Sequence, residues 1–413
     1  MKNVKYFCAP NLREVLPTIK PGMFDYLAES PTLRPFAIQT SHKGFAFDFN
    51  CGLRLQIPAG NWHVTILDFD SEDICFDEDV SDVLLISLEK FFVRWRFLLY
   101  LDGKLVFAHE FNPTGLKVHF YYPSEVIGIG DQIALFPYME AFRKKWNCRI
   151  SCTIGENLQE LLRVQFPALE YSALPGDSYA TYLVMPCFDR MLFPKNPITL
   201  PMEKFGRYIF GLNSAEKIIY RPTKPRQISE PYVCIAVQTS ATIKTWLNPN
   251  GWSEVVAYLK SLGYRVLCID KNREQTDHGF TVKIPDGAED FTGNLPLSER
   301  VNLLAYAEFF IGMTSGLSWL AWAANIPVVL ISGISACWHE FSTPYRIANQ
   351  LVCNGCYNDT EIPVGKGLDC IKHGGTDRAY ECQWKISARQ VINAIDQLIS
   401  DKREERFSYP NFL

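Results

Sequence analysis

What the sequence lacks narrows the field first. Over 413 residues no apolar run reaches the roughly 18–20 residues that cross a bilayer. The opening MKNVKYFCAPNLREV has no apolar core followed by a cleavage signal, so the chain is expected in the cytoplasm with no membrane span. Neither sign of charge is in excess: Lys and Arg number 41 against 45 Asp and Glu, a net of -4. Such a balance does not favour a polyanionic partner, and nucleic acid is not expected, although Arg221, Lys224 and Arg226 form a local basic patch. Several signatures are also missing: the G-x-G-x-x-G fingerprint, a Walker A Gly-Lys pair, HExxH, and any Ser-His-Asp order. Dinucleotide enzymes, nucleoside triphosphatases, zinc peptidases and serine hydrolases are all weakened by these absences.

Apolar residues, by contrast, are plentiful at 47%, and the length suffices for at least two cored domains. Residues 41–109 alternate apolar and polar positions, with Asp102-Gly103 as a hairpin turn. A small antiparallel sheet or barrel is predicted, giving a β-rich domain over 1–112. From there strand and helix patterns alternate, as in LKVHFYYP, QIALFPYMEAFRKKW, CRISCTI and ENLQELLRVQF, which predicts a parallel sheet with helices on both faces over 113–225. The linker-like YRPTKPRQISEP leads to a second such unit over 226–413, where Ser298 is expected to cap a helix. The fold class is therefore α/β, with two doubly wound units facing a cleft behind a β-rich domain. Ligands of such sheets sit beyond the carboxyl ends of the strands.

Cysteines number 13, and four cluster near the C-terminus: Cys353 and Cys356 in CNGC, then Cys370 and Cys382. The two-residue gap with a glycine inside lets two thiolates turn toward one ion, and a finger over 350–385 would gain its folding energy from that ion. Zinc and iron both suit four sulfurs. A redox CxxC or unliganded thiols are the alternatives, and His339 or His373 could replace one thiol. Cys51, Cys75, Cys148, Cys152, Cys187, Cys234, Cys268 and Cys337 read as small core hydrophobes.

Three stretches carry candidate chemistry. In GIGDQIA, Asp131 lies between Gly130 and Gln132, before a helix at the mouth of the first unit. A carboxylate there accepts a proton from an attacking hydroxyl, while the plain reading is a helix cap. In VQTSATIKTW, Thr239, Ser240, Thr242 and Lys244 supply the hydroxyls and the cation that a leaving diphosphate needs; the plain reading is a solvated loop. In GMTSGLSWLAWAA, Thr314, Ser315, Gly316 and Leu317 turn from a strand into an apolar helix, as at an anion site, or simply as a packing turn. His339, Glu340 and Arg346 follow and would orient a sugar or nucleotide, or decorate a loop. Glu110 is a less favoured base.

With GDQIALFPYMEAF, VQTSATIKTWLNPNGW, GLSWLAWAANIPVVLISG, WHEFSTPYRIAN and CNGC in this order, the chain resembles the bacterial autotransporter heptosyltransferases, relatives of the lipopolysaccharide heptosyltransferases. The resemblance spans most of 115–385. It implies a GT-B enzyme of two Rossmann-like domains that moves heptose with inversion from ADP-heptose to serine hydroxyls of autotransporter adhesins. It also implies a large ring-shaped homo-oligomer and an iron-binding finger, with iron then favoured over zinc. The family's acid falls on Asp131, its phosphate-binding lysine on Lys244, its second-domain turn on Thr314–Leu317, and its metal ligands on Cys353, Cys356, Cys370 and Cys382. Two rival readings are a transferase with another nucleotide sugar or a saccharide or lipid-linked acceptor, and a non-catalytic nucleotide-sugar-binding or scaffold protein.

Overall fold

Period-two patterning produces strands over the first hundred residues of the computed structural model, which describes residues 3–10, 39–40, 42–89, 91–123, 127–172, 174–185, 195–362 and 369–410. They are β1 (Asn3–Phe7), β2 (Gln39–Thr40), β3 (Ala46–Asn50), β4 (Leu53–Ile57), β5 (Trp62–Asp68), β6 (Ile74–Val80), β7 (Val83–Ser87), β8 (Trp95–Leu101) and β9 (Lys104–Glu110). Alternate positions Trp62, Val64 and Ile66 of β5 and Trp95, Phe97 and Leu99 of β8 are buried together. An antiparallel sheet in the order β6-β5-β8-β9 results. Its hairpin turns at Asp102 and Gly103, both at positive φ (50° and 74°), as a two-residue turn matched to strand twist requires.

The expected single small sheet accounts for only part of this region. The next elements are β10 (Lys117–Tyr121), α1 (Ile129–Trp146), β11 (Arg149–Thr153), α2 (Glu156–Gln165), β12 (Glu170–Tyr171), β13 (Ala180–Leu183) and α3 (Phe205–Phe210). Strand β3 lies parallel against β13 through the pairs Phe49–Ala180 and Asn50–Thr181. One sheet therefore runs β1-β7-β4-β3-β13-β10-β11-β12, with β2 beside β3, and half of the N-terminal strands extend the first α/β unit. Period two says which residues share a face; it does not say which strand is the neighbour.

The second unit contains β14 (Tyr232–Ile235), α4 (Gly251–Ser261), β15 (Arg265–Cys268), the hairpin β16 (Glu274–Asp277) and β17 (Phe280–Lys283), β18 (Glu289–Asp290), α5 (Leu297–Leu304), β19 (Phe310–Met313), α6 (Gly316–Ala323), β20 (Val328–Ile331), β21 (Arg346–Ile347), α7 (Glu381–Trp384) and α8 (Ala388–Arg403). Its sheet is parallel in the order β18-β15-β14-β19-β20-β21. Both faces are covered: Val328 and Leu330 of β20 enter one core, Val329 and Ile331 the other. Both units repeat one strand order, third-second-first-fourth, which opens a crevice between first and fourth strands. From those switch points issue α1, α6 and the loop after β14.

Helix ends differ from expectation in two places. Helix α5 begins at Leu297 without a side-chain cap, and the Ser298 hydroxyl donates to Glu160 of α2 at 2.8 Å, tying the two units together. Helix α1 starts earlier than the pattern suggests and continues through Pro137, with Gly130 and 132–139 buried between its sheet and α6. The linker residues Thr223 and Lys224 are bound through their N–H groups to Asn302, and Lys224 also pairs with Glu299. The expected core cysteines 51, 75, 148, 152, 234 and 268 are buried, Cys337 is exposed, and Cys187 lies outside the described residues.

Candidate active site

Two glycine-led helices meet where the units join. A Cβ on Gly130 would lie 2.6 Å from Cδ1 of Trp319 in α6, and one on Gly316 would lie 3.1 Å from Cβ of Ile129. Trp319 cannot yield, since Trp322 and Phe341 pack on it at ring distances of 5.4 and 5.0 Å. Gly130 is the second residue of α1, and its missing side chain lets the first turn of one unit touch that of the other.

Asp131 is the third residue of α1. Its Oδ2 accepts the Gly128 N–H at 2.9 Å, closing a capping arrangement that serves one of the orphan donors of the first turn. The carboxylate is half-buried at the inter-unit junction. Its pKa is raised, mainly because burial penalises the charge; the Gly128 N–H, then Lys244, then His339 act against that rise. A cap and a proton acceptor are thus compatible, because only one oxygen is committed to capping. Gln132 is turned away: its Oε1 accepts from Gly155 N at 3.2 Å and its amide reaches Gly128 O, bracing two loops.

Opposite Asp131, the loop after β14 presents Lys244. Burial lowers the pKa of its ammonium, and the charges of Asp131 and Glu340 act to raise it. The two hydroxyls flanking this turn are spent on the loop itself. Thr239 Oγ1 bonds Thr245 Oγ1 at 2.7 Å and Ala241 O at 2.8 Å, and Thr242 donates from Oγ1 and N to Asp277 of the β16–β17 hairpin at 2.6 and 3.0 Å. Ser240 is exposed beside Lys244, whose Nζ lies 3.5 Å from its Oγ.

At the N-terminus of α6, Ser315 takes the cap position in extended backbone but makes no capping bond. Its buried Oγ has no hydrogen-bond partner, and no acidic residue occupies the first turn. A helix N-terminus with open donors and an idle hydroxyl suits an anion. Leu317 packs on the core, and Thr314 donates to Ser332 at 2.8 Å. Ser332, Ser335, Glu340 and Arg346 then form a buried network: Ser335 donates to Glu340 at 2.5 Å, and Arg346 reaches Glu340 at 2.5 Å and Ser332 at 3.0 Å. Burial works against the Glu340 charge, but Arg346 first, with His339 and Ser335, holds its pKa below the usual range. His339 is buried, with a lowered pKa from desolvation, and its ring lies 4.6 Å from that of Tyr357. His339, Glu340 and Arg346 therefore join the site rather than decorate a loop. Nothing in their spacing encodes the network, because Ser332 and Ser335 bring no motif of their own.

Glu110 does not. It pairs with Arg94, whose guanidinium lies 5.8 Å from the Trp146 ring at the far end of α1. Fifteen helical residues separate Trp146 from Asp131, about 22 Å at the usual rise per residue.

The C-terminal thiols share one neighbourhood. The fields of Cys353 and Cys370 help raise the Cys356 thiol to about 11, after burial, and Cys382 reaches about 12 under burial and the other three thiols. The Tyr380 N–H points at Cys370 Sγ at 3.2 Å. Thiols that oppose each other's ionisation are what a thiolate-binding cation relieves, and the chemistry of four sulfurs suits zinc or iron. Among the described residues the one grouping with ligand atoms within 4.8 Å of one another is Cys353, His373 and Glu381, so the expected four-sulfur set is not drawn together at that distance. Glu381 already accepts from Cys353 N at 3.1 Å and from Arg378, which makes it a brace for the knuckle. Part of the expected finger, 363–368, lies outside the described residues.

A model of the N-terminal domain of glycosyltransferase TibC matches residues 42–103, and one of glycosyltransferase family 9 (heptosyltransferase) matches 208–362. The autotransporter heptosyltransferase TibC of Escherichia coli O78:H11 is 40% identical over 392 residues, covering 92% of this chain and 95% of that protein. The chain belongs to the autotransporter heptosyltransferase family. A second family member, BAHTCr of Citrobacter rodentium, is 41% identical over 379 residues, 89% of this chain and 92% of that protein. The solved structure of TibC, described as dodecameric, iron-containing and in complex with ADP-D-beta-D-heptose, superposes with a TM-score of 0.84 at 40% identity, covering 90% of this chain and 99% of that one. As a family member the chain is a glycosyltransferase of the heptosyltransferase class. The family also holds BimC of Burkholderia thailandensis, described as inactive, 31% identical and matched over 86% of this chain and 85% of that protein, so the reacting groups deserve their own test. No described helix is long and apolar enough to cross a membrane.

Proposed function

We propose that this chain moves heptose from ADP-heptose to serine hydroxyls of an autotransporter adhesin passenger in the cytoplasm, with inversion at the anomeric carbon. The observation that carries the reading is the pairing across the unit junction: a half-buried carboxylate from α1 lies in the field of a lysine from the opposite unit, beside an uncommitted helix N-terminus. The reading is of a GT-B enzyme with 113–225 and 226–413 as its two lobes, the strands of 1–112 being divided between the first lobe's sheet and a separate four-stranded sheet.

In the reaction, Asp131 takes the proton of the serine Oγ as that oxygen bonds the anomeric carbon. The bond from that carbon to the diphosphate oxygen breaks, and its electron pair leaves with ADP. The charge arriving on the diphosphate meets Lys244, Ser240 and the first turn of α6 with the Ser315 hydroxyl. Thr239, Thr242, Gln132, Gly130 and Gly316 act by holding these groups in place, and Thr314 leads into the Ser332–Glu340–Arg346 network behind them. No enzyme nucleophile is needed, in keeping with the missing triad. Cys353, Cys356, Cys370 and Cys382 hold one ion, iron by the family likeness, which cross-links the finger. A large homo-oligomer is proposed on the same likeness.

The test uses purified chain, a panel of ADP-, GDP- and UDP-sugars, and a serine-rich passenger fragment, read by intact mass spectrometry. A heptose-sized increment with the ADP donor, lost in Asp131→Asn, is expected. No increment with any donor sinks the reading, and an increment with another nucleotide alone reassigns the donor. Metal analysis of the same preparation separates iron from zinc.

A further inference from the structure

We infer that Gln383 is a positioning residue for Lys244, and that through it the metal finger sets the affinity of the second unit for a nucleoside diphosphate. The inference rests on the reading of Lys244 given above. Gln383 follows Cys382 in α7 and is fully buried. Its Nε2 donates to the carbonyl of Ile243 at 2.6 Å, across 140 residues of sequence. That carbonyl belongs to the peptide joining Ile243 to Lys244, so the bond fixes the plane from which the lysine side chain departs. The turn is narrow, with Lys244 N donating to Ala241 O and Thr245 N to Thr242 O at 2.9 Å each.

Packing does not account for a glutamine here. Its Oε1 is buried with no partner, an orphan that a methionine of similar length would avoid, so the amide is retained for its donor. The finger and the lysine loop also share one small apolar cluster. Ile243, Ile334 and Cys382 are its buried members, joined by Ala241, Cys370, Tyr357 and Tyr380. Contact is close enough that a Cβ on Gly333 would lie 2.3 Å from the Cys382 carbonyl oxygen. Phe280 packs on Tyr380 and Trp384 at 5.5 and 5.6 Å on either side of Gln383, and a cation binding the neighbouring Cys382 thiol would add to that anchorage.

The experiment compares full-length parent, Gln383→Met, Lys244→Ala and the double variant by metal content, ADP affinity from calorimetry, and donor KM and kcat. Gln383→Met is expected to keep its metal, lose roughly tenfold in ADP affinity and raise donor KM equally, with kcat at saturation changed less than about threefold. In the Lys244→Ala background it costs no further ADP affinity. Unchanged affinity with only a lowered melting temperature overturns the inference, as does an equal loss in both backgrounds. Should Gln383→Met shed its metal, Gln383→Asn keeps an amide at shorter reach: weakened ADP binding with metal retained supports the link, and parental binding refutes it. Lys244→Ala binding ADP like the parent instead refutes the reading of Lys244 itself.

Discussion

Helix α1 leaves the first strand of its unit and α6 the fourth strand of the other, so the two meet from opposite sides of the switch points, and they treat their N-termini in opposite ways. Helix α1 fills its own: Asp131 turns back onto the Gly128 N–H. Helix α6 leaves its first turn without acid and its cap hydroxyl without a partner. Because an N-terminus stabilises whatever negative charge sits there, the first unit has spent that preference on a resident carboxylate, and the second has kept it for a visitor. One residue at each helix start separates the proposed base from the proposed anion site.

The contrast is broken most severely at the base. Asp131→Asn keeps the shape and removes the proton acceptor, so kcat should fall by about 10²–10⁴ while ADP affinity stays within a few-fold, measured by steady-state kinetics and calorimetry. Making α6 resemble α1 is the next largest change: Ser315→Asp should abolish measurable ADP binding yet leave the melting temperature equal or higher, since the carboxylate would satisfy the helix by about 0.3–1 kcal/mol. Gly130→Ala tests the packing that brings the helices together. In an ordinary helix it would stabilise by about 1 kcal/mol; here the new Cβ meets Trp319, and a net loss of about 1–3 kcal/mol is expected in denaturant melts.

The smallest effect is in the pH profile. Asp131 works deprotonated, so the rate rises as pH climbs through its pKa, which burial has moved upward. Lys244 works protonated, so donor binding weakens as pH climbs through its pKa, which burial has moved downward. The bell for kcat/KM should be narrower than free carboxylate and ammonium values would give. Asp131→Asn should remove only its acid limb from the residual rate, and Lys244→Met only its alkaline limb.

Much of the frame was legible from residues. Alternation of β and α patterns gave the two units, and DG gave the hairpin turn. Local rules failed where a competing partner lay far along the chain. Ser298 lies inside a helix that starts at Leu297 and bonds Glu160 instead of capping, and Glu110 is held by Arg94. The hydroxyls of Thr239 and Thr242 looked equivalent to that of Ser240, but loop closure consumes two of the three. Ser332 and Ser335 carried no local signal at all.

By itself the sequence determined the strand and helix periods, the family motifs and the spacing of the thiols, since these depend on neighbours within a few residues. Only the tertiary structure decided that β3 would join the first parallel sheet, that Gly130 would lie against Trp319, and that a residue of the finger would hold the peptide before Lys244. The reason is physical: periodicity says which face a residue shows, whereas burial, field and hydrogen-bond partner are set by whatever chain lies opposite, and a linear pattern does not say what that is.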